Sequence, residues 1–317
     1  MRIGILSNAR SGRNRRRIRE LDRVLAGRSD VLHLRIENGT DSAELLREMA
    51  ARGIELLVIS GGDGTVSRAL TALFAHRIWE APPPVAILPR GTANMTAADV
   101  GLRNPGPRGL AALLAAVDAG RLEGHLLTRP VLKVDWAPDR PAIRGMFFGT
   151  AGIVDAIRLC TGSIHSRGVR GEIAHLLTLC WLLARLTFRG LEAAGIGCER
   201  MRVAHDGGRE TEAARLLLLA TTLERLVMRS RPFWNIGEQP IRYTSVACPA
   251  PGLLRHAPRV LYGAEQRSLP PAYDSRGARR LDIRPVSRFT VDGEIYHPAP
   301  DHPVTVTAEE QLRFVRL

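Results

Sequence analysis

The residues best suited to chemistry form a glycine-rich segment, Ile59-Ser60-Gly61-Gly62-Asp63-Gly64-Thr65, between an apolar run and a helix-like run. Glycine lets a backbone approach a ligand closely, and the first N–H groups of a helix point towards an anion placed there. The segment therefore predicts a phosphate-binding turn from a strand into a helix. An ordinary tight turn is the alternative, and a single glycine pair by itself favours that simpler interpretation.

Two further loops have the same setting. Asn8-Ala9-Arg10-Ser11-Gly12 and Pro89-Arg90-Gly91-Thr92-Ala93-Asn94 each follow a short apolar run and precede a helical pattern. Ligands of an open α/β sheet bind outside the carboxyl ends of its strands, so three such loops at one edge predict a phosphate site. The chain contains neither G-x-x-x-x-G-K-[ST] nor the H-R-D and D-F-G motifs of protein kinases, which excludes those phosphate-binding families.

Asp63 is the one acid inside the glycine segment. A carboxylate there repels phosphate unless a cation mediates, so Asp63 indicates Mg²⁺, which keeps its waters and bridges carboxylates to substrate phosphates. Alternatively, Asp63 accepts the proton of an attacking hydroxyl, or it caps the helix that begins near Val66. The residues alone leave these roles open.

The elements that position these loops alternate between strand and helix. Apolar runs at 3–7, 31–36, 55–60 and 85–88 are separated by helical patterns, which predicts a doubly wound, mostly parallel sheet. After about residue 120 strand-like runs dominate, and Asp206-Gly207-Gly208 predicts a hairpin. We therefore predict an α/β domain over 1–127 and a largely antiparallel β-sandwich domain over 128–317.

Composition narrows the class of partner. The formal net charge of +13 over 317 residues predicts an anionic partner such as a nucleotide or a lipid surface. Aromatic residues make up 5% of the chain and do not interleave with the arginines, so nucleic acid is not an expected partner. We interpret the four cysteines, which form no C-x-x-C pair, as buried thiols in a reducing cytosol: Cys160, Cys180, Cys198 and Cys248.

Residues 172–189 form an apolar helical run that His175 and Arg185 interrupt, so it falls short of a membrane span. A core helix and a wall of an acyl-chain entrance are the two interpretations. No signal-peptide pattern follows Met1. Together with the cysteines, this predicts a cytoplasmic protein.

The set of motifs resembles the diacylglycerol kinase catalytic-domain family, which includes bacterial lipid kinases and the sphingosine and ceramide kinases. Ser60–Thr65 followed by Leu88–Asn94 looks like the two glycine loops of that family. Asn8–Gly12 is similar to its N-terminal N-P-x-S-G loop, and Val291-Asp292-Gly293-Glu294 resembles its D-G-E near the C terminus. Residues 171–184 resemble its lipid-side helix, so the resemblance is distributed along the whole chain.

The resemblance implies a kinase that uses ATP and Mg²⁺ to phosphorylate the hydroxyl of a lipid alcohol. It also implies that 1–127 is the nucleotide-binding domain and 128–317 the lipid-substrate domain, with a nucleotide cleft between them. Asp63 would serve the metal or the acceptor, and Asp292 or Glu294 would engage the lipid hydroxyl. The residues implied for nucleotide binding are Asn8, Ser11, Gly12, Gly61, Gly62, Gly64, Thr65, Arg90, Gly91, Thr92 and Asn94. A hairpin turn is the alternative role for Asp292-Gly293.

The chain also departs from the family pattern. Met95 stands where bacterial diacylglycerol kinases usually place Asp, and Arg129-Pro130 stands near another expected acid. Met95 mildly favours a sphingoid or ceramide lipid as the acceptor. The loss of several acids is equally typical of a weakened kinase or of a binding regulator. An NAD kinase-like enzyme is a further alternative, against which the intact Gly91–Asn94 loop argues.

The implied location is the inner membrane surface. ATP phosphates or anionic lipid headgroups are the expected partners of the arginines at 10, 13 and 15–17. A solvated basic helix face is the alternative role for those arginines. The sequence leaves monomer and homodimer open.

Overall fold

The computed structural model describes residues 1–8, 20–37, 40–91, 93–163 and 197–317. These residues form two compact units. The first comprises Met1–Arg129 together with Gln311–Leu317, and the second comprises Pro130–Glu310. We describe each unit by itself.

The strands, in chain order, are β1 Ile3–Asn8, β2 Val31–Ile36, β3 Leu56–Gly61, β4 Val85–Pro89, β5 Leu126–Pro130, β6 Leu132–Asp135, β7 Ile143–Gly145, β8 Phe147–Ala151, β9 Glu199–His205, β10 Thr211–Thr221, β11 Ile241–Ala247, β12 Tyr273–Ala278, β13 Arg280–Arg284, β14 Phe289–Val291, β15 Glu294–Tyr296, β16 Val304–Thr307 and β17 Gln311–Val315. The helices are α1 Ser42–Ala51, α2 Asp63–Ala75, α3 Met95–Val100, α4 Gly106–Asp118, α5 Gly152–Ser163 and α6 Leu253–Tyr262. Residues 20–24 are also helical.

The first unit is built on a six-stranded sheet with the order β2-β1-β3-β4-β17-β5. Strands β1 to β4 and β17 pair in parallel, as the alternating pattern predicts. The central strands β1, β3 and β4 are mostly apolar and buried along nearly their whole length, which is typical of a parallel sheet covered on both faces. The predicted α/β fold of this part of the chain is confirmed.

Local signals set the ends of α1. The Asp41 side chain accepts a hydrogen bond from the Ala43 backbone N–H, so Asp41 caps the N terminus. Gly53 has a φ of +67° just after the helix, which is the left-handed conformation that favours glycine at a helix end. Leu46 and Met49 are fully buried on the inner face.

The last strand corrects the predicted domain division. Residues 311–317 belong to the first unit, where Phe314 and Val315 of β17 lie opposite Val85 and Ala86 of β4. The predicted domain over 128–317 therefore included a strand of the other unit's sheet. A strand's own residues carry no signal for which sheet it joins, because pairing depends on a partner more than 200 residues earlier in the chain.

The second unit contains an eleven-stranded sheet. Nine of its strands follow the order β15-β14-β8-β10-β9-β13-β16-β6-β7, and the other two are β11, which pairs with β10, and β12, which pairs with β11. Its described pairs are antiparallel, as predicted. The core packs alternate residues of these strands, among them Phe148, Tyr243, Phe289 and Val306. The predicted hairpin joins β9 to β10, with Asp206 and Gly207 both at positive φ as a tight hairpin turn requires.

The cysteine prediction is wrong for two of the four residues, because Cys198 and Cys248 form a disulfide. Cys198 directly precedes β9 and Cys248 directly follows β11, and both strands pair with β10 opposite Arg215. The two cysteines are 50 residues apart, so only the pairing of the strands brings them together. These two residues no longer support the inference of a reducing compartment.

Within the described ranges, none of the helices combines the length and the apolar character needed to cross a lipid bilayer. The apolar run at 172–189, Cys180 and the arginines at 10, 13 and 15–17 lie outside the described residues.

Candidate functional site

The predicted loops come together because they leave neighbouring strands. Strands β1, β3 and β4 lie side by side and parallel, so their carboxyl ends share one edge of the sheet. The order β2-β1-β3-β4 reverses direction between β1 and β3, which is the place where open α/β sheets bind ligands. The topology therefore supports the sequence argument for one shared site.

In chain order the three loops begin at Asn8, Gly61 and Pro89, and a hydrogen bond joins the first to the second. Asn8 at the end of β1 donates from Nδ2 to Oγ1 of Thr65 in the first turn of α2, at 3.0 Å. Thr65 is buried, and its backbone N–H donates to the Gly62 carbonyl at 2.9 Å. The two predicted phosphate contacts, Asn8 and Thr65, thus hold each other in place.

The glycines allow the second and third loops to touch. A Cβ on Gly62 would lie 2.8 Å from the Cα of Gly91, and a Cβ on Gly91 would lie 2.5 Å from the Cα of Gly62. A Cβ on Gly61 would lie 2.5 Å from the Cβ of Thr65. Arg90 donates its backbone N–H to the Gly61 carbonyl at 2.9 Å, which closes the contact. These glycines are needed for loop packing, in addition to any approach of a ligand.

The N terminus of α2 suits an anion. Its N-cap is Gly62, and no described side chain caps it. Gly64 lies in the first turn of this helix. The first N–H groups and the positive end of the helix dipole favour a negative group at this position.

Asn94 closes the third loop on itself. The Gly91 backbone N–H donates to Oδ1 of Asn94 at 2.6 Å, and Nδ2 of Asn94 donates to the Gly91 carbonyl at 2.9 Å. Asn94 has a φ of 48°, a left-handed conformation that asparagine tolerates well. Its amide therefore shapes the loop, and Thr92 between the two residues lies outside the described residues.

The Asp63 carboxylate accepts hydrogen bonds from the first backbone N–H groups of α3. Its Oδ2 accepts from the Met95 N–H at 3.1 Å and its Oδ1 accepts from the Thr96 N–H at 3.0 Å. It caps α3 from 32 residues away, whereas the capping alternative considered from the sequence placed it at the start of its own helix. Asp63 is 8% exposed; burial raises the pKa of its carboxyl, and the two N–H donors act in the opposite direction.

The positions that depart from the family pattern also have structural partners. Met95 is buried at the start of α3 and donates its N–H to Asp63. Arg129 in β5 lies beside the buried carboxylate of Asp99 in α3, with Nε 3.8 Å from Oδ2. The arginine at the expected acid position thus faces an acid from another helix.

Asp292 lies in the tight turn between β14 and β15, where both Asp292 and Gly293 have positive φ. Its Oδ1 accepts from the Phe147 N–H at 2.9 Å, and both oxygens lie within 3.2 Å of the Met146 nitrogen. Asp292 is 4% exposed, and the hairpin interpretation describes its backbone correctly. Glu294 begins β15 and is exposed.

Among the predicted nucleotide residues, Ser11, Gly12 and Thr92 lie outside the described residues. The described members are Asn8 at the end of β1, Gly61–Thr65, and Arg90–Gly91 with Asn94. Asn8 contacts Thr65, and the second loop contacts the third through Gly62 and Gly91. Within the described part of the chain, no group of three or more His, Cys, Asp or Glu side chains could hold a metal ion.

Sequence reasoning missed a polar chain near this edge. The Ser7 hydroxyl lies 2.7 Å from Nε2 of His33, and Nδ1 of His33 lies 3.2 Å from Oδ1 of Asp22. Burial lowers the pKa of His33 below its usual value, with Asp22 opposing the shift. Ser7 is 1% exposed, so these three hydrogen-bonded side chains position β1 and β2 against the helix at 20–24, and the Ser7 hydroxyl is not an accessible nucleophile. Residues on three elements gave no local motif that could have revealed it.

Comparison with known sequences confirms the resemblance over the first third of the chain. Residues 2–123 match the sequence model described as the diacylglycerol kinase catalytic domain. A diacylglycerol kinase of Mycobacterium tuberculosis is 31% identical over 99 residues, which are 30% of this chain and 30% of that protein. A protein of Xanthomonas campestris pv. campestris named "Probable lipid kinase YegS-like" is 38% identical over 104 residues, 31% of this chain and 33% of that protein. The aligned segments thus span about a third of the curated relatives they match.

Comparison with solved structures extends the likeness to the fold of the whole chain. A crystal structure of a diacylglycerol kinase from Bacillus anthracis covers 99% of this chain and 96% of its own, with a TM-score of 0.65 and 16% identity. At that identity the likeness shows a shared fold. The fold class is therefore that of diacylglycerol kinase-like proteins.

Proposed function

We propose that this protein is an ATP-dependent lipid kinase that transfers the γ-phosphoryl group to the hydroxyl of a membrane lipid, either diacylglycerol or a ceramide or sphingoid lipid. The observation that carries the proposal is that Asn8 contacts Thr65 and Gly62 contacts Gly91 at the carboxyl ends of β1, β3 and β4, within the segment that matches the diacylglycerol kinase catalytic domain. Phosphoryl transfer requires mainly positioning and charge stabilisation, which rigid backbone loops supply.

In this proposal the loop backbones bind the nucleotide. The N–H groups at the N terminus of α2 would contact the phosphates, with Thr65 and Asn8 fixed beside them by their mutual hydrogen bond. Arg90 would add positive charge, and Gly62 and Gly91 would keep the two loops in contact. Ser11, Gly12 and Thr92 complete the proposed set.

The residues at this edge fit a magnesium ion held mainly by the substrate. Mg²⁺ usually keeps several waters and takes one or two carboxylates together with substrate phosphates, so Asp63 by itself suits it. A carboxylate offers about four acceptor positions, and two backbone N–H groups occupy part of them at Asp63. When bound there, the ion would neutralise phosphate charge during transfer.

The acceptor hydroxyl would be engaged by Asp292 or Glu294, whose carboxylates would orient it and accept its proton. A lipid acceptor requires contact with a membrane, for which the net charge of +13 is complementary to anionic headgroups. We accordingly propose peripheral docking on the inner membrane surface. Sedimentation with anionic vesicles that weakens as salt rises would support this docking, and sedimentation indifferent to salt would contradict it.

The test is phosphoryl transfer from labelled ATP to a panel of diacylglycerol, ceramide, sphingoid bases and NAD. Transfer to a lipid supports the proposal and names the acceptor, and transfer to NAD alone replaces it with an NAD kinase-like activity. Asp63→Asn should lower kcat because it removes the carboxylate assigned to the metal. Asp292→Asn should lower kcat by at least about a hundredfold, as loss of general-base help predicts. Asp41→Asn is the matched control, since Asp41 also caps a helix of the first unit and asparagine caps equally well. Full activity of both site variants would refute the assigned roles.

A second candidate is a nucleotide- or lipid-binding regulator without turnover. Asp63 and Asp292 favour it, because each is buried and gives its carboxylate to a pair of backbone N–H groups. Tight ATP binding with no transfer to any acceptor in the panel would select this candidate over the kinase.

A further inference from the structure

The second unit contains a cavity of about 590 Å³ that the sequence patterns do not indicate. Strands β9 to β12 and the loops beside them form its walls. Among its lining side chains are His205, Arg209, Thr211, Arg215, Asp274 and Arg276. None of the residues assigned above to nucleotide or acceptor binding lines it.

The register of the strands explains why polar side chains gather there. A β-bulge between Arg215 and Leu217 shifts the alternation of β10, so Arg215 and Leu218 point to the same face of the sheet. Across the sheet, Leu218 lies opposite Ser245 of β11, and Ser245 lies opposite Asp274 of β12. Leu218 belongs to the apolar core, so the cavity is the polar end of the face that carries the core.

Arg215 lines the cavity as a buried charged group. It is 7% exposed, and its guanidinium donates to the Ser245 hydroxyl at 2.9 Å and to the hydroxyl and carbonyl of Thr211 at 3.2 and 3.3 Å. Within the described residues its buried Nε has no hydrogen-bond partner, and no carboxylate pairs with it. Burying a charged group without an opposite charge is costly. A bound anion would remove that cost.

The neighbouring polar groups are a buried histidine and an ion pair. Nε2 of His205 is buried and has no partner among the described residues, and its ring stands edge-on to Tyr243 with centroids 4.6 Å apart. Burial and the charge of Arg276 lower the pKa of His205; Arg215 acts in the same direction, and Asp274 and Asp206 oppose the shift. Asp274 is already paired with Arg276 at 2.7 Å.

We propose that this cavity binds a phosphate group, carried by a small phosphomonoester or by free phosphate. Three arginines and one carboxylate line the cavity, so its excess of positive charge is two. A phosphate monoester carries roughly −1.5 to −2 at neutral pH, which matches that excess better than a single carboxylate does. Guanidinium groups and hydroxyls are the donors that phosphate oxygens accept from. The proposal is independent of the kinase function, because it concerns other residues.

The experiment is calorimetric titration of the full-length chain with inorganic phosphate and with glycerol phosphate, against sodium chloride at equal ionic strength. Arg276→Gln should weaken binding of either phosphate by roughly tenfold or more, since it removes a charge-assisted contact and leaves Asp274 unpaired. Arg280→Gln is the matched control. Arg280 forms the same kind of pair with Asp282, at 2.8 Å and with similar exposure, and it does not line the cavity.

His205→Gln is the second test variant, since it keeps a polar group of similar size and should also weaken phosphate binding. Arg215→Gln is less suitable, because it removes a buried side chain and disturbs the sheet. Vesicles of phosphatidylcholine with phosphatidic acid separate the two sources of phosphate. Binding of soluble phosphate that Arg276→Gln weakens supports a small ligand, and binding only to these vesicles with the same sensitivity assigns the phosphate group to a lipid. Absence of binding in both arms, or equal loss in Arg280→Gln, would overturn the proposal.

Discussion

Replacing Gly91 with alanine tests whether contact between the second and third loops builds the candidate site. The new Cβ would lie 2.5 Å from the Cα of Gly62 and 3.0 Å from Oδ1 of Asn94. Carbon atoms in contact stay about 3.5–4.0 Å apart, so the loops must separate by roughly 1 Å. The nearest obstacle is backbone, which cannot move aside by changing a side-chain rotamer.

The cost follows from that separation. Overpacking of this kind destabilises a protein by about 1–3 kcal/mol, and each kcal/mol lowers Tm by roughly 2–4 °C at 150–250 residues and more in a smaller unit. Separation also stretches the 2.9 Å hydrogen bond from the Arg90 N–H to the Gly61 carbonyl. A misplacement of about 1 Å in an active site can reduce the rate by about a hundredfold. We therefore expect Gly91→Ala to lower Tm by several degrees and to reduce lipid phosphorylation by about that factor.

The assay compares thermal denaturation, ATP affinity and transfer rate in Gly91→Ala and Gly124→Ala. Gly124 is the matched control, because a Cβ there meets no atom within 4 Å and its backbone is not in the left-handed region. Alanine at 124 should be neutral or slightly stabilising. If the two variants behave alike, then the loop contact does not build the site and the reasoning fails.

Three further predictions concern the rest of the fold. Peptide mapping without reductant should recover Cys198 linked to Cys248, and reducing this bond should cost about 2–4 kcal/mol of unfolding free energy; free thiols at both positions would contradict it. Because the pKa of His33 is lowered in the folded state, the stability it contributes is present above its unfolded pKa of about 6.5 and is lost as pH falls. The free energy of unfolding, measured in urea, should therefore fall less between about pH 7.5 and 5.5 in His33→Gln than in the unchanged protein. An equal fall in both proteins would show that His33 is not the cause. Arg144→Ala should lower the free energy of unfolding by about 3–5 kcal/mol, because the Glu310 carboxylate loses the guanidinium that donates two hydrogen bonds to it. A decrease of less than about 1 kcal/mol, measured by urea denaturation, would contradict that estimate.

Local patterns predicted much of the first unit. Strands β1, β3 and β4 were expected within one or two residues, because each is marked by a short apolar run. The parallel order also followed from the alternation of strand and helix. In the second unit the strands β9 and β10 beside the predicted hairpin were expected, whereas the short strands β7 and β15 were not, since a run of three residues carries little periodicity.

The partners of the two candidate acids could not be predicted. Asp63 was expected to serve a metal, a proton or its own helix, and the structure also gives it the N–H groups of Met95 and Thr96. Asp292 was weighed as a turn or a catalytic acid, and it is a turn residue whose carboxylate also holds Met146 and Phe147. Their roles in chemistry stay predictions until the variants are assayed.

The sequence by itself determined what depends on neighbouring residues: the glycine loops, the cap at Asp41, the stop at Gly53 and the hairpin at Asp206-Gly207. These features depend on backbone conformation and hydrogen bonds within a few residues, so their signal lies in one short segment. Only the tertiary structure decided the placement of β17 in the first sheet, the disulfide and the cavity around Arg215. Each of these joins segments tens to hundreds of residues apart, and strand pairing and register, which no single segment encodes, bring them together.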